Sequence, residues 1–402
     1  MAPSTSVRRF GLLLPVLLVA VGTWNYLRPI PAAVATSLGP AQYTITGTPP
    51  SLPWPRVGSA AVGVSGLGLI AASNDPLPAP AASVAKVMTA LVVLADKPLA
   101  KGESGPILTM TDQDVATYLA DMAQGQSVVP VAAGERLSEF EALEALLIPS
   151  GNNIAETLAR WDAGSVPAFV AKMNQLAAAL HLKRTTFVDP AGVSTQTVST
   201  PTDLLAMGMA AMQQEALSQI VSLAQTTLPV AGTVYNVNAA LGHSGIVGIK
   251  TGSGLNSGAN FLFAAAVTVD GADVTLYGCV MGQPTLDAAF KAAEALIAAM
   301  QAAVRVRQVA TNNHAVGAYE TPWGSRSDLL ATVDMTLVEW PGMILRQRLD
   351  VPTLATDRPI ASGMSAGKLH FVLGDQQVDV PLVTAGPLYP PETMWRLFRI
   401  NF

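Results

Sequence analysis

"PAPAASVAKVMTALVVL", Pro78 to Leu94, sets Ser83 and Lys86 three residues apart at the head of an apolar run. The run predicts a buried helix from about Ser83 to Ala95. Residues three apart on a helix share a face, with about 5–6 Å between Cβ atoms, so the amine can reach the hydroxyl. An ammonium in that position either snorkels to water or serves the serine beside it. Burial and a neighbouring cation lower a lysine towards neutrality, where it can act as a base. Taken alone, the spacing is one that chance supplies in most chains, so other stretches have to decide.

Working outward, residues 59–71, "SAAVGVSGLGLIA", read as a strand with a turn, followed by a Pro-rich loop. Downstream, Ser138 stands three residues before Glu141 in "SEFEALEALLI", a capping-box spacing that predicts a helix over 139–148. Helical spacing resumes in "IAETLARW" and "VPAFVAKMNQLAAALHL", and Thr200-Pro201 opens another helix with proline at its first position. "GIVGIKTGSG" and "ANFLFAAAVTVDGADVTLYGCVMG" read as strands, the latter pair joined by a tight turn at Asp270-Gly271. "TLDAAFKAAEALIAAMQAAV" closes the region as an amphipathic helix. Strands at both ends with helices between imply an α+β domain over about 59–303, its first strand joining the late ones in one antiparallel sheet. Residues 304–402 hold alternating stretches such as "LLATVDMTLVEW" and "GKLHFVL", and read as a small β-rich domain with a tail. Residues 29–58, rich in Pro and Ala, read as a linker. The final "ETMWRLFRINF" fits an interfacial segment, a last strand or packing against the domain, and stays unassigned.

The 402 residues suffice for two or three domains, and a half-hydrophobic composition with 13% charged residues supports a sizeable core. The net charge of -5 is spread without a basic patch, which argues against a nucleic-acid partner. A single cysteine, Cys279, excludes an intrachain disulfide and a Cys-based metal cluster, and suits a small buried hydrophobe. His181, His243, His314 and His370 are scattered, none with a second ligand at metal spacing, so neither metal nor cofactor is expected. At the N-terminus Arg8 and Arg9 precede "FGLLLPVLLVAVGTWNYL", an export signal, a membrane anchor or both. Its length of about 18 residues, near the roughly 20 that span a bilayer, favours an uncleaved anchor over residues 1–28. The rest of the chain would then lie outside the cytoplasm, or be secreted if the signal were cleaved.

Two distant stretches give the first one its meaning. In "LLIPSGNNIAETLA", Ser150 and Asn152 can both point into one cleft from a loop between helices, although Ser-Gly-Asn is also ordinary turn chemistry. In "GIKTGSG", Lys250 and Thr251 at a strand end can bind a carboxylate and Gly252 lets backbone approach a ligand, although an ordinary strand end reads the same. Together they make S-x-x-K, S-x-N and K-T-G in the order found in penicillin-binding proteins and class A β-lactamases. The chain resembles a D-alanyl-D-alanine carboxypeptidase of the low-molecular-weight penicillin-binding type over about residues 59–300. It is similar also in "TTFVDPAGVSTQTVSTPTDLLAMG" and "YNVNAALGHSGIVGIKTGSGLNSGANFLFAAAV".

The resemblance implies a transpeptidase-type α+β fold with an antiparallel sheet flanked by helices. It implies that Ser83 attacks the bond between terminal D-alanines of peptidoglycan stem peptides, with Lys86 as its base and β-lactams as covalent inhibitors. Ser150 would pass a proton to the leaving amine, and Asn152 would hold the substrate amide. Lys250 would add positive potential, Thr251 would bind the carboxylate beside Gly252, and the N–H groups of Ser83 and Ser253 would form the oxyanion hole. Departures are Ala85, where threonine is common, the segment "SGLNSGAN", and the lack of any arginine between Lys250 and Arg305. Rival readings are a D,D-endopeptidase on the same site, a non-catalytic penicillin sensor, and a β-lactamase. Against the last, the interval 151–249 offers only Glu156 and Glu215, neither followed four residues later by asparagine.

Overall fold

The computed structural model describes residues 5–73, 77–254 and 256–400, with side chains from Pro15 onward. It forms two units, Pro49–Arg305 and a second made of Met1–Thr48 with Val306–Phe402.

The larger unit is built on a five-stranded antiparallel sheet in the order Ile246–Gly254, Gly258–Val269, Ala272–Gln283, Ser59–Val64, Gly68–Ala72. The early strand thus pairs with the late ones, Ala61 opposite Cys279. The two long strands turn at Asp270-Gly271, both with positive φ, the geometry that matches strand twist in a two-residue hairpin. The helix Leu286–Ala303, capped by Thr285, packs on these strands, with Phe290 edge-on to Phe261. Cys279 is buried in this sheet, where an apolar environment pushes its thiol pKa up.

The helices of this unit enclose one apolar core around Lys86–Asp96, including Leu143, Leu146, Leu158, Phe169 and Leu204. Ser138 caps Glu139–Leu147 through the Glu141 N–H while the Glu141 carboxylate accepts from the Ser138 N–H, the reciprocal box its spacing predicts. Thr200 caps Pro201–Met212 in the same position. The predicted Ser83 helix begins differently: Ala82–Ala85 is a 3₁₀ turn, and the α-helix proper runs Lys86–Asp96. Ala81 offers no side-chain cap, so the first turn tightens.

The second unit carries a seven-stranded antiparallel sheet in the order Val34–Ser37, Ala315–Glu320, Arg326–Ala331, Gln376–Thr384, Ser365–Leu373, Ile344–Asp350, Gln42–Thr44. The β-rich reading of the C-terminal region therefore describes its strands, but the linker reading of 29–58 is corrected. Two pieces of that segment form both edges of the sheet, Ala35 opposite Tyr319 and Tyr43 opposite Leu345. Strands of three and four residues are too short to display alternation, yet they satisfy the edge backbone groups of their neighbours.

A helix spans Thr5–Leu27. Arg8, Arg9 and the first half of the apolar run fall outside the residues whose side chains are described, and among the described residues no helix is long and apolar enough to cross a membrane. The tail forms a helix, Thr393–Phe398, whose neighbour Arg399 donates to the backbone carbonyls of Asn25 and Arg28 at the end of the first helix. Arg396 stacks on Tyr26. A guanidinium on the orphan carbonyls of a helix C-terminus is both a hydrogen-bonding and a dipole match.

Candidate active site

A cleft of about 390 Å³ opens in the larger unit beside Ser83, and its walls come from the three motif stretches and two loops between them, 125–127 and 192–195. Ser83, Asn152 and Ser253 line it, together with Gln126, Ser127, Ser194, Thr195 and Asn256.

Lys86 lies beneath the cleft, fully buried, one residue into its helix. Its Nζ has three partners: Ser83 Oγ at 2.8 Å, Asn152 Oδ1 at 2.6 Å and the Ala191 carbonyl at 3.0 Å. Among the described residues no carboxylate touches it. Burial therefore drives its pKa well below the ordinary lysine value, aided by the charge of Lys250 and opposed by those of Asp189 and Asp121.

The partners also decide where the lone pair would point once the amine gives up its proton. Two of the three are carbonyl oxygens, which only accept, so a neutral –NH₂ gives them its two hydrogens and keeps its lone pair for the Ser83 O–H. That is the arrangement of a general base on its nucleophile.

Asn152 is the first residue of the helix Asn152–Ala163, and its Nδ2 donates to Gln126 Oε1 at 2.7 Å, which fixes its carbonyl towards Lys86. Ser150 sits in the turn before it, buried, with a left-handed backbone that side chains rarely adopt. The Ser150 hydroxyl makes no hydrogen bond to Ser83 or Lys86, and Ser150 is not among the residues that line the cleft.

Lys250 and Thr251 are buried on the strand Ile246–Gly254. Burial lowers the Lys250 pKa to about 7, and its Nζ donates to the Thr251 carbonyl. Gly252 is required by the contact it makes: a Cβ there would stand 2.9 Å from Ser83 N and 3.0 Å from Val84 N. The strand thus runs against the backbone of the nucleophile, where Ser253 follows at the cleft wall.

Three residues of this site escaped the motif reading. Gln126 orients Asn152. Asn260, buried in the strand Gly258–Val269, donates to the carbonyls of Pro80 and Ala81 and so pins the approach to Ser83. A lone amide inside the apolar run "ANFLFAAAV" was the available signal, because a buried amide must have partners. Asp189 organises the loop that carries Ala191.

A serine hydrogen-bonded to a buried lysine, packed against the edge strand of an antiparallel sheet, forms the centre of this candidate site. Residues 65–285 match the D-alanyl-D-alanine carboxypeptidase family of peptidases, and the chain belongs to that family. It is 36% identical to a D-alanyl-D-alanine endopeptidase of Pseudomonas aeruginosa over 163 residues, 40% of this chain and 49% of that protein. To a D-alanyl-D-alanine carboxypeptidase of Bacillus subtilis it is 30% identical over 186 residues, 45% of this chain and 46% of the other. The chain spans about half the length of these relatives. The crystal structure of penicillin-binding protein 5 from Haemophilus influenzae shares the fold, with a TM-score of 0.61 at 20% identity over 85% of this chain and 99% of that one. The fold is accordingly that of the penicillin-binding peptidases, with a further β-rich unit.

Proposed function

We propose that the protein is a serine D-alanyl-D-alanine carboxypeptidase acting on peptidoglycan stem peptides. The observation that carries this reading is the buried Lys86 amine, 2.8 Å from Ser83 Oγ and depressed in pKa by its surroundings. Ser83 Oγ adds to the carbonyl carbon of the penultimate D-alanine while its proton passes to Lys86 Nζ. The resulting oxyanion is met by the N–H groups of Ser83 and Ser253. Collapse breaks the C–N bond, Ser150 hands a proton to the departing amine, and terminal D-alanine leaves. Water then hydrolyses the ester on Ser83. Lys250 supplies positive potential and Thr251 a hydroxyl for the substrate carboxylate.

β-Lactams would enter the same path as far as the ester and stop there. Glu156 is engaged by Arg160, Glu215 is exposed and paired with Lys101, and no carboxylate lines the cleft among the described residues in the way a class A β-lactamase requires. The ring-opened amine of a β-lactam also stays tethered in the cleft, whereas the D-alanine of a peptide departs and leaves room for water. Endopeptidase action is a second reading, favoured by the Pseudomonas relative's name. The same machinery would cut a cross-link in place of a free end. We place the chain outside the cytoplasm and tether it by its N-terminal helix, on which Val16, Leu17, Leu18 and Val19 stand exposed.

The test is release of free D-alanine from an N-acylated tripeptide ending in L-Lys-D-Ala-D-Ala. Release by the wild type and none by Ser83→Ala supports the reading. A folded wild type that releases none, yet forms an ester with penicillin, would replace it with the sensor. Faster cleavage of a cross-linked dimer would move the assignment to endopeptidase.

A further inference from the structure

The Ala191 carbonyl is one of the two acceptors that point the Lys86 lone pair at Ser83, and it belongs to a loop with no regular structure from Asp189 to Gln196. One carboxylate gathers the backbone around that carbonyl. Asp189 Oδ1 accepts from the N–H groups of Ala191 at 2.9 Å, Gly192 at 2.5 Å and Val193 at 3.0 Å. Its Oδ2 accepts from Ser194 N at 3.1 Å and Thr197 Oγ1 at 2.8 Å. Four successive N–H groups turned inward on one side chain leave the carbonyls between them facing out, and Ala191 O meets Lys86.

Further contacts fix the coiled loop against the nucleophile turn. Thr89 Oγ1, one helical turn beyond Lys86, donates to Pro190 O at 2.6 Å. Ala81 N donates to Thr197 O at 3.0 Å, and Gly192, left-handed at φ +76°, passes so close to Ala82 that any Cβ would overlap its carbonyl. The outward side of the same loop, Gly192 to Thr195, is a wall of the cleft.

We propose that Asp189 is a positioning residue for the general base: by gathering its own loop it holds the Ala191 carbonyl on Lys86 Nζ and thereby aims the amine lone pair at Ser83. The inference rests on the acyl-transfer reading of the site. It has an electrostatic corollary. The charged groups that bear on Lys86 are Lys250 from the strand Ile246–Gly254, Asp189 from this loop and Asp121 from the helix Asp112–Ala123. Asp189 favours the ammonium, so removing its charge lets Lys86 lose its proton at lower pH.

The experiment measures the second-order rate of Ser83 acylation by a fluorescent penicillin from pH 5 to 9, in full-length wild type, Asp189→Asn and Asp189→Ala. Near-ultraviolet circular dichroism reports whether each variant is folded. Asp189→Asn keeps an oxygen for Oδ1's three N–H groups but opposes Ser194 N–H with a second donor. Its plateau should fall about tenfold and the rising limb of its profile should move to lower pH. Asp189→Ala should lose about a hundredfold. A folded Asp189→Asn whose plateau stays within twofold, or whose plateau falls with the limb unmoved, would overturn the proposal, the latter outcome marking loop support alone. Should Asp189→Ala fail to fold, Asp189→Asn and Thr89→Val, which removes the tie to Pro190 and a long contact to Met173 Sδ, carry the same comparison. Thr89→Val should lower the plateau three- to tenfold. If wild type itself acquires no label on Ser83, it is the acyl-transfer reading that fails.

Discussion

Lys86 and Lys368 show how differently two units of one chain treat the same side chain. Lys368, on the strand Ser365–Leu373, reaches 2.6 Å across to Asp379 with 43% of its side chain exposed, and that carboxylate raises its pKa. His370 meets the other oxygen of Asp379, so the trio is a solvated charge ladder on a sheet face. Lys86 has no exposure and, among the described residues, no carboxylate in contact; two carbonyls and a hydroxyl replace water around it. The first arrangement keeps a proton, and the second is built to give one up. Lys250 extends the second arrangement, since burial alone lowers it to about 7 and its charge pushes further on Lys86.

The contrast breaks most severely at the base itself. Lys86→Arg preserves positive charge but not the ability to become neutral, and should cut the rate of penicillin acylation about 10³- to 10⁴-fold. Retention of even a tenth of the rate would mean that Lys86 does not act as a base. Gly252→Ala should cost about 10²- to 10³-fold in the same assay, because its methyl would push the strand away from Ser83 N and open the oxyanion site. An unchanged rate there would remove Ser83 N from the mechanism.

A third buried ionisable group sharpens the point, because nothing uses it. Both oxygens of Glu139 are buried without a hydrogen-bond partner, and burial raises its pKa to about 7 despite the help of Lys97. The folded protein holds this proton longer than the unfolded chain does. Stability should therefore fall as pH rises from the ordinary 4.5 towards 7 and stay reduced above. Glu139→Gln should match wild type at pH 4 and exceed it by about 2 kcal/mol at pH 8 in urea denaturation. Equal stability at both would show the carboxylate to be solvated. Smallest of all, Lys368→Met should leave both the denaturation midpoint and acylation unchanged, as expected for an exposed ion pair.

Local signals made much of this legible. The Ser138–Glu141 box, the Thr200-Pro201 start and the Asp270-Gly271 turn are decided by neighbours in sequence, and the structure carries each. Ser83, Lys86 and Asn152, which the structure joins by hydrogen bonds, were singled out by short spacings that fall in one order. The edge strands Val34–Ser37 and Gln42–Thr44 were hidden, since their partners lie about 280 to 300 residues away and three or four residues show no period. Asp189 was hidden for the opposite reason. Its bonds are all to nearby residues, and Asp-Pro-Ala-Gly looks the same whether it merely turns the chain or aims a carbonyl.

The central claim is that Ser83 is a nucleophile prepared by Lys86. Intact-protein and peptide mass spectrometry after incubation with benzylpenicillin tests it most directly. The account predicts one adduct of the whole antibiotic on Ser83, persisting for minutes or longer, and none in Ser83→Ala. A folded wild type that stays unmodified while leaving the penicillin intact would contradict it, as would an adduct on any other residue.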